Sequence, residues 1–233
     1  MDVVAPLPAP RVERVGQLLV VRDDLIAGGT KVRVIPQLLV GAREFVYASP
    51  AAGYAQISLA LACARLGLRA TIFCAARRAW HPSTRAAAQA GATIIEVPNG
   101  YMTVVRARAR AYCAVSGACL LPFGFDCPPF VAGLAAVARA LDLGDPPEVW
   151  SVAGSGVLTR ALQAAWPRSA FVAVRIGAVP KVGRAIVLTA PERFEQVARC
   201  PPPFPSSAHY DAKAWRFVST QARPGAVFWN VGG

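Results

Sequence analysis

Only three of the 25 basic residues are lysines, Lys31, Lys181 and Lys213. So strong a bias to arginine suggests that each remaining lysine does something arginine cannot. A guanidinium stays protonated, whereas a lysine amine can lose its proton on desolvation and form a Schiff base with an aldehyde. Lys31 has the most suggestive setting, Arg22-Asp23-Asp24-Leu25-Ile26-Ala27-Gly28-Gly29-Thr30-Lys31-Val32-Arg33. The paired glycines let the backbone turn tightly and approach a ligand closely. Local chemistry alone is also met by a glycine turn followed by a solvated lysine, and by itself it favours that reading.

A second candidate is the turn Val152-Ala153-Gly154-Ser155-Gly156-Val157, which follows an apolar strand and opens a helix. Backbone N–H groups converge in such a turn, and a helix N-terminus favours an anion, so Gly154, Ser155, Gly156 and Val157 form a candidate phosphate cradle. Short Gly-Ser-Gly turns also occur where nothing binds. The six cysteines, at 63, 74, 113, 119, 127 and 200, contain no Cys-x-x-Cys, and only His81 and His209 could supply imidazole. That argues against a structural metal site and for small core thiols in a reducing compartment. Two histidines without a nucleophile motif give no Ser/His/Asp arrangement.

The elements that must position these residues follow a regular alternation. Strands are expected at Gln17–Val21, Glu44–Ala48, Arg69–Cys74, Thr93–Val97, Glu148–Val152 and Ala170–Val174. Helices are expected at Tyr54–Leu66, Thr84–Gln89, 103–114, Phe130–Leu141 and Val157–Ala165, with a short apolar run at 119–122. Strand–helix alternation predicts parallel sheets covered by helices. Gly-Asp-Pro-Pro at 144–147 reads as a turn and the proline-rich segment 201–205 as a loop. At 233 residues, 55% of them hydrophobic, the chain can bury a sizeable core as one large domain or two small ones. The most apolar stretch, 57–75, is interrupted by Arg65 and Arg69, so no membrane span is expected. The acidic, proline-spaced start around Asp2 lacks the form of a signal peptide, and a cytoplasmic location is expected.

The segment Arg-Asp-Asp-Leu followed by Gly-Gly-x-Lys-Val-Arg resembles the lysine segment of the fold-type II pyridoxal-phosphate enzymes. The branch it most resembles is that of D-cysteine desulfhydrase and aminocyclopropane-carboxylate deaminase, relatives of the tryptophan synthase β-subunit. Four further segments resemble the family in the same order. The fold this implies is a pair of three-layer α/β/α domains of the tryptophan synthase β-like type, truncated. The implied small domain spans 45–122, inserted into a large domain of 1–44 plus 123–233. The missing length would fall between 160 and 205 and widen the mouth of the site. The resemblance implies pyridoxal 5'-phosphate as cofactor, Lys31 as the Schiff-base lysine and proton shuttle, and the Gly154–Gly156 turn as the phosphate cradle. Within Ser49-Pro50-Ala51-Ala52-Gly53-Tyr54-Ala55-Gln56, the loop that packs on the ring, Ser49 and Gly53 fall on the substrate side. Tyr54 replaces the usual asparagine there, as a hydrogen-bond donor or stacking group, or as a helix-start aromatic covering the core. Phe125, in Pro122-Phe123-Gly124-Phe125-Asp126, falls on a substrate-side loop. In the closing segment Phe228–Gly233, Val231 stands where a hydroxyl residue often faces the pyridine nitrogen, and Asn230 is the candidate substitute. Tyr210, in His209-Tyr210-Asp211-Ala212-Lys213, is a candidate for the pocket, with Lys213 read as structural. A homodimer is expected by family analogy.

The formal net charge of +12 exceeds what an enzyme for a small free amino acid needs, and it would attract a polyanion. The local concentrations are Arg77, Arg78 and Arg85, then Arg106, Arg108 and Arg110. On a helix the second set spreads around the axis. An arginine-rich coding background that merely solvates the surface accounts for the same charge. Three functions follow. One is a lyase that decarboxylates an amino-acid group attached to a modified thymine in bacteriophage DNA, located in the host cytoplasm. The second is a deaminase- or desulfhydrase-type lyase for a small free amino acid. The third is a non-catalytic nucleic-acid-binding protein on the same scaffold.

Overall fold

A computed structural model describes residues 7–98, 100–177 and 180–232. The elements run in chain order as β1 (Val12–Val15), β2 (Leu18–Arg22), β3 (Glu44–Ala48), α1 (Ala55–Arg65), β4 (Arg69–Ala75), α2 (Pro82–Gln89), β5 (Thr93–Val97), α3 (Met102–Ser116), β6 (Cys119–Leu120), α4 (Pro128–Arg139), β7 (Glu148–Ala153), α5 (Val157–Ala165), β8 (Ala170–Arg175), β9 (Ile186–Thr189), α6 (Trp215–Gln221) and β10 (Val227–Asn230). The mixed α/β class with parallel sheets matches the expectation. The segments 12–15 and 186–189 are strands that the alternation does not announce. Residues 23–38 form short 3-10 turns.

The chain divides into two compact units. One contains residues 34–125, and the other contains residues 7–33 together with 126–232. The family resemblance implies an inserted domain of 45–122; the compact unit takes in eleven more residues before it and three after.

The first unit is built on a four-stranded sheet of order β5-β4-β3-β6 in which every neighbouring pair is parallel. All five residues of β3, the interior strand Glu-Phe-Val-Tyr-Ala, are buried, as expected of a strand covered on both faces. Helix α3 packs Val105 and Ala109, one turn apart, on a cluster containing Val46, Phe73 and Val97.

The second unit carries a six-stranded sheet of order β1-β2-β10-β7-β8-β9. Strand β1 is antiparallel to β2, and every other neighbouring pair is parallel. Its two faces bury separate clusters. Val20, Trp150, Val174 and Phe228 lie on one, and Val21, Val149, Leu162 and Trp229 on the other. The alternation of Val20 with Val21 and of Phe228 with Trp229 follows from the two-residue period of a strand. Helix α5 turns Val157, Ala161, Leu162 and Ala165 inward, a spacing that lays one apolar stripe against the sheet.

Among the described residues, no helix is long and apolar enough to cross a membrane, and no group of three or more His, Cys, Asp or Glu could hold a metal ion.

Candidate functional site

Three neighbouring parallel strands of the second unit, β2, β10 and β7, deliver their carboxyl ends to one edge of the sheet. In open α/β sheets this is the edge where ligands bind, because the loops leaving it are free to shape a crevice. The lysine segment leaves β2, the Val231–Gly232 segment leaves β10, and the Gly154–Gly156 turn leaves β7.

The lysine segment is fastened at both ends. Arg22 pairs with Asp24 at 2.7 Å and with Glu13, and Arg33 pairs with the fully buried Asp23 at 2.7 Å. Between them Gly28 and Gly29 take φ of 87° and 66°, a left-handed backbone that β-branched or bulky residues would resist. The Trp229 indole N–H donates to Asp23 (3.1 Å) and to the Thr30 hydroxyl (2.9 Å), and the Thr30 amide donates to the Val231 carbonyl (3.0 Å). Lys31 is therefore carried on a short turn stitched to the end of β10. Desolvation pushes its amine below the ordinary lysine value, and the opposing charge of Asp211 does not reverse this.

Asp211 is the residue that sequence reasoning misses. It is fully buried, and burial raises its carboxyl to about 8 against the pull of Lys31 and of backbone N–H groups at Gly232 and Val231. Its Oδ2 accepts from the Gly232 amide (3.2 Å), while Oδ1 has no hydrogen-bond partner among the described residues. An aspartate in His-Tyr-Asp-Ala-Lys carries no sequence signal of burial; only the tertiary fold removes it from water.

Asn230, expected to serve the pyridine nitrogen, is instead a brace. Its side-chain amide donates to Asp24 (2.7 Å) and to the Pro205 carbonyl (2.8 Å), and its oxygen accepts from the Ser206 hydroxyl (2.7 Å). Both amide hydrogens are used, so the free carboxyl oxygen beside Val231–Gly232 belongs to Asp211. Gly233 lies outside the described residues.

At the glycine turn, Gly156 is held at φ 81°, and a Cβ there would stand 2.0 Å from the Lys181 carbonyl oxygen. No other residue fits without moving backbone. The Gly154 amide donates to the Tyr210 hydroxyl (2.8 Å), which uses the first N–H of the turn and leaves those that follow for an anion. No side chain caps the start of α5, so the Ser155 hydroxyl is only a distant partner of the Val157 amide (3.5 Å). An uncapped helix start behind two glycines suits an anion of phosphate size. Lys213 is buried and donates to the carbonyls of Arg193 (2.8 Å) and Phe194 (3.3 Å), a structural role.

The remaining expected site residues lie in the first unit. Ser49 is buried and its hydroxyl donates to the Pro50 carbonyl (2.9 Å). A Cβ on Gly53 would meet that hydroxyl at 2.9 Å. The Gln56 amide ties the loop together by donating to the carbonyls of Ala51 (2.8 Å) and Gly53 (2.9 Å). Tyr54 occupies the start of α1. Phe125 has a different role from the one expected: it is fully buried, stacked 5.0 Å from Tyr47, and its φ of 57° is held by that packing. A ring so placed shapes a core and cannot touch a substrate without moving.

The six candidate arginines separate. Arg77, Arg78 and Arg85 are exposed beside one another in the β4–α2 region. Arg106 is half-buried with its guanidinium 4.6 Å above the Phe123 ring, which withdraws it from any nucleic-acid set. Arg108 and Arg110 are exposed on α3, where helical geometry splays them.

The described residues fit a pyridine-ring cofactor bearing an aldehyde and a phosphate: an amine below its usual pKa, an uncapped glycine turn and a buried carboxyl oxygen without a partner. A family model described as "Pyridoxal-phosphate dependent enzyme" matches residues 5–220. No curated protein sequence matches the chain. Among solved structures, an ACC deaminase homologue aligns over 97% of this chain and 90% of its own, at 13% identity and a TM-score of 0.84. Threonine deaminase isoform 2 from Solanum lycopersicum, in its processed form, aligns over 92% and 74%, at 14% identity and a TM-score of 0.69. The diaminopropionate ammonia lyase of Escherichia coli, in its apo form, aligns over 93% and 78%, at 14% identity and a TM-score of 0.66. At these identities the likeness is one of fold.

Proposed function

Because the chain belongs to the pyridoxal-phosphate dependent enzyme family, we propose that it is a lyase that breaks a bond at the α-carbon of an amino-acid substrate. The observation that carries this reading is the convergence of the lysine segment, the glycine turn and the Val231–Gly232 segment on the carboxyl ends of β2, β7 and β10. The cofactor supplies an electron sink for the charge left at the α-carbon. The N–H groups of Ser155–Val157 would hold its phosphate, and the Asp211 Oδ1, which has no hydrogen-bond partner among the described residues, would be the group available to its ring nitrogen. The Lys31 Nζ would hold the aldehyde and would be the group to move a proton at the α-carbon, a task suited to an amine whose pKa lies below the ordinary value. Tyr210 positions the Gly154 amide and is a positioning residue in this scheme.

In the narrower form of the reading, the amino-acid group is carried on a modified thymine of bacteriophage DNA, and the bond broken is the one to its carboxyl carbon. The net charge of +12 supports a polyanionic carrier. The release of ammonia or sulfide from a small free amino acid is the competing outcome. Protein loaded with pyridoxal phosphate should show a visible absorption band that Lys31→Ala lacks. Absence of the band from both proteins would sink the enzyme reading. With the band present, carbon dioxide release from DNA whose thymine carries an amino-acid group with a free α-carboxylate, set against ammonia release from free amino acids, decides between the two forms.

A further inference from the structure

In the first unit, the loop leaving β4 and the loop leaving β5 lie against one another at the carboxyl edge of the sheet. Ala75 and Val97 are register partners, and the Ala76 amide donates to the Val97 carbonyl (2.9 Å). Gly100 closes the contact: a Cβ there would stand 2.9 Å from the Val97 carbonyl oxygen and 3.1 Å from the Ala75 Cα. Tyr101, the next residue, is therefore rooted near the end of β4, from which the segment Arg77-Arg78-Ala79-Trp80 departs. Arg85, one turn into α2, donates to the Trp80 carbonyl (2.7 Å) and ties that segment down. Tyr101 is 81% exposed and Trp80 36% exposed, and all three arginines are exposed. The carboxylate recorded at this edge is Glu96, which accepts from the Arg77 backbone amide at 3.3 Å.

We propose that this rim of Arg77, Arg78, Arg85, Trp80 and Tyr101 binds single-stranded nucleic acid. Guanidinium groups take backbone phosphates in a bidentate fork, and exposed aromatic faces stack on bases without regard to sequence. Stacking selects an unpaired strand, because a duplex hides its base faces. An acidic peptide would use the arginines and leave the rings idle. The rim rests on the nucleic-acid form of the function proposed above.

The test is fluorescence anisotropy of a labelled strand of about 20 nucleotides, its duplex, and a polyglutamate peptide of similar charge. The proteins are the parent, R77Q/R78Q, W80A/Y101A and the single variant Y101A. The parent should bind the single strand more tightly than the duplex or the peptide. R77Q/R78Q should weaken binding at least about tenfold and lower the salt slope by about 1.4, the loss of two phosphate contacts. W80A/Y101A should weaken single-strand binding about tenfold and leave the slope alone, with Y101A showing part of that loss should the double variant fail to fold. Equal binding of polyglutamate, a preference for duplex, or parent-like binding by both aromatic variants overturns the proposal. Cofactor absorbance is read on the same samples. A band without strand binding removes the rim and leaves the enzyme; strand binding without a band does the reverse.

Discussion

Residues 34–125 hold nine arginines, no lysine and two carboxylates, Glu44 and Glu96. Residues 7–33 and 126–232 hold all three lysines and ten of the thirteen carboxylates. The two units are similar in architecture, each a parallel sheet flanked by helices, yet they place charge differently. In the second unit, carboxylates and cations are drawn inside and paired beyond the carboxyl end of β2, as with Asp23–Arg33 and Asp24–Arg22. In the first, Glu44 is enclosed by Arg69, Thr71 and Tyr112, and Arg77, Arg78, Arg85, Arg108 and Arg110 stand exposed. One unit uses charge to brace the segment that carries Lys31; the other presents charge to solvent. A net charge assigned to the whole chain conceals that division.

The strongest way to break the comparison is Lys31→Arg. If the second unit needs an amine that can lose its proton, the charge-conserving substitution should abolish the cofactor band and lower turnover roughly 10²–10⁴-fold, measured by steady-state assay. Retained activity would mean that the lysine is only a charge. Next in size is Gly156→Ala, which meets both a left-handed backbone and the Lys181 carbonyl. A loss of about 2–4 kcal/mol is expected in urea unfolding, whereas Gly117→Ala in the first unit, with open space around its Cβ, should lose less.

Asp211→Asn sharpens the electrostatic contrast. The buried acid keeps its proton to about 8, whereas the unfolded chain ionises near 3.8. Ionisation therefore favours the unfolded state increasingly between those values. Relative to the parent, the variant should gain about 1.4 kcal/mol of stability per pH unit through that window, on the order of 5 kcal/mol by its upper end and nothing at its lower end. It should also bind the cofactor less well. Glu44 has the opposite sign. Burial pushes its carboxyl up, but hydrogen bonds from Thr71, Tyr112 and Arg69 outweigh that and hold it below the usual range. Its contribution is present above the unfolded value and is lost as pH falls through the lower folded one. Glu44→Gln should cost about 1 kcal/mol near neutrality and nothing in strong acid. Smallest of all, Arg78→Gln should change stability by less than about 0.5 kcal/mol.

Much of the fold was legible because strands such as 44–48, 93–97 and the helix 157–165 announce themselves by period and by flanking turns. Strand β9 escapes notice because it is an edge, with Ile186 and Val187 largely exposed, and β1 because its four residues follow a proline-spaced start. Lys31 and the glycine turn could be read from residue type, since an isolated lysine and a strand-to-helix Gly-Ser-Gly are local features. Asp211 and Asn230 could not. Which of two polar side chains keeps a free atom depends on partners at Asp24, Pro205 and Gly232, far away in sequence.

Strand β10 lies between β2 and β7, and Trp229, Asn230 and Val231 hold the segment that carries Lys31. During synthesis, residues 34–125 have all their sheet neighbours soon after they emerge. The lysine segment is made early but finds its anchors only when β10 leaves the ribosome, about 200 residues later. The segment that carries Lys31 is thereby fixed only on the arrival of that strand, and a product cut short before it would leave β2 and β7 each with an unpaired edge and that segment without its anchors.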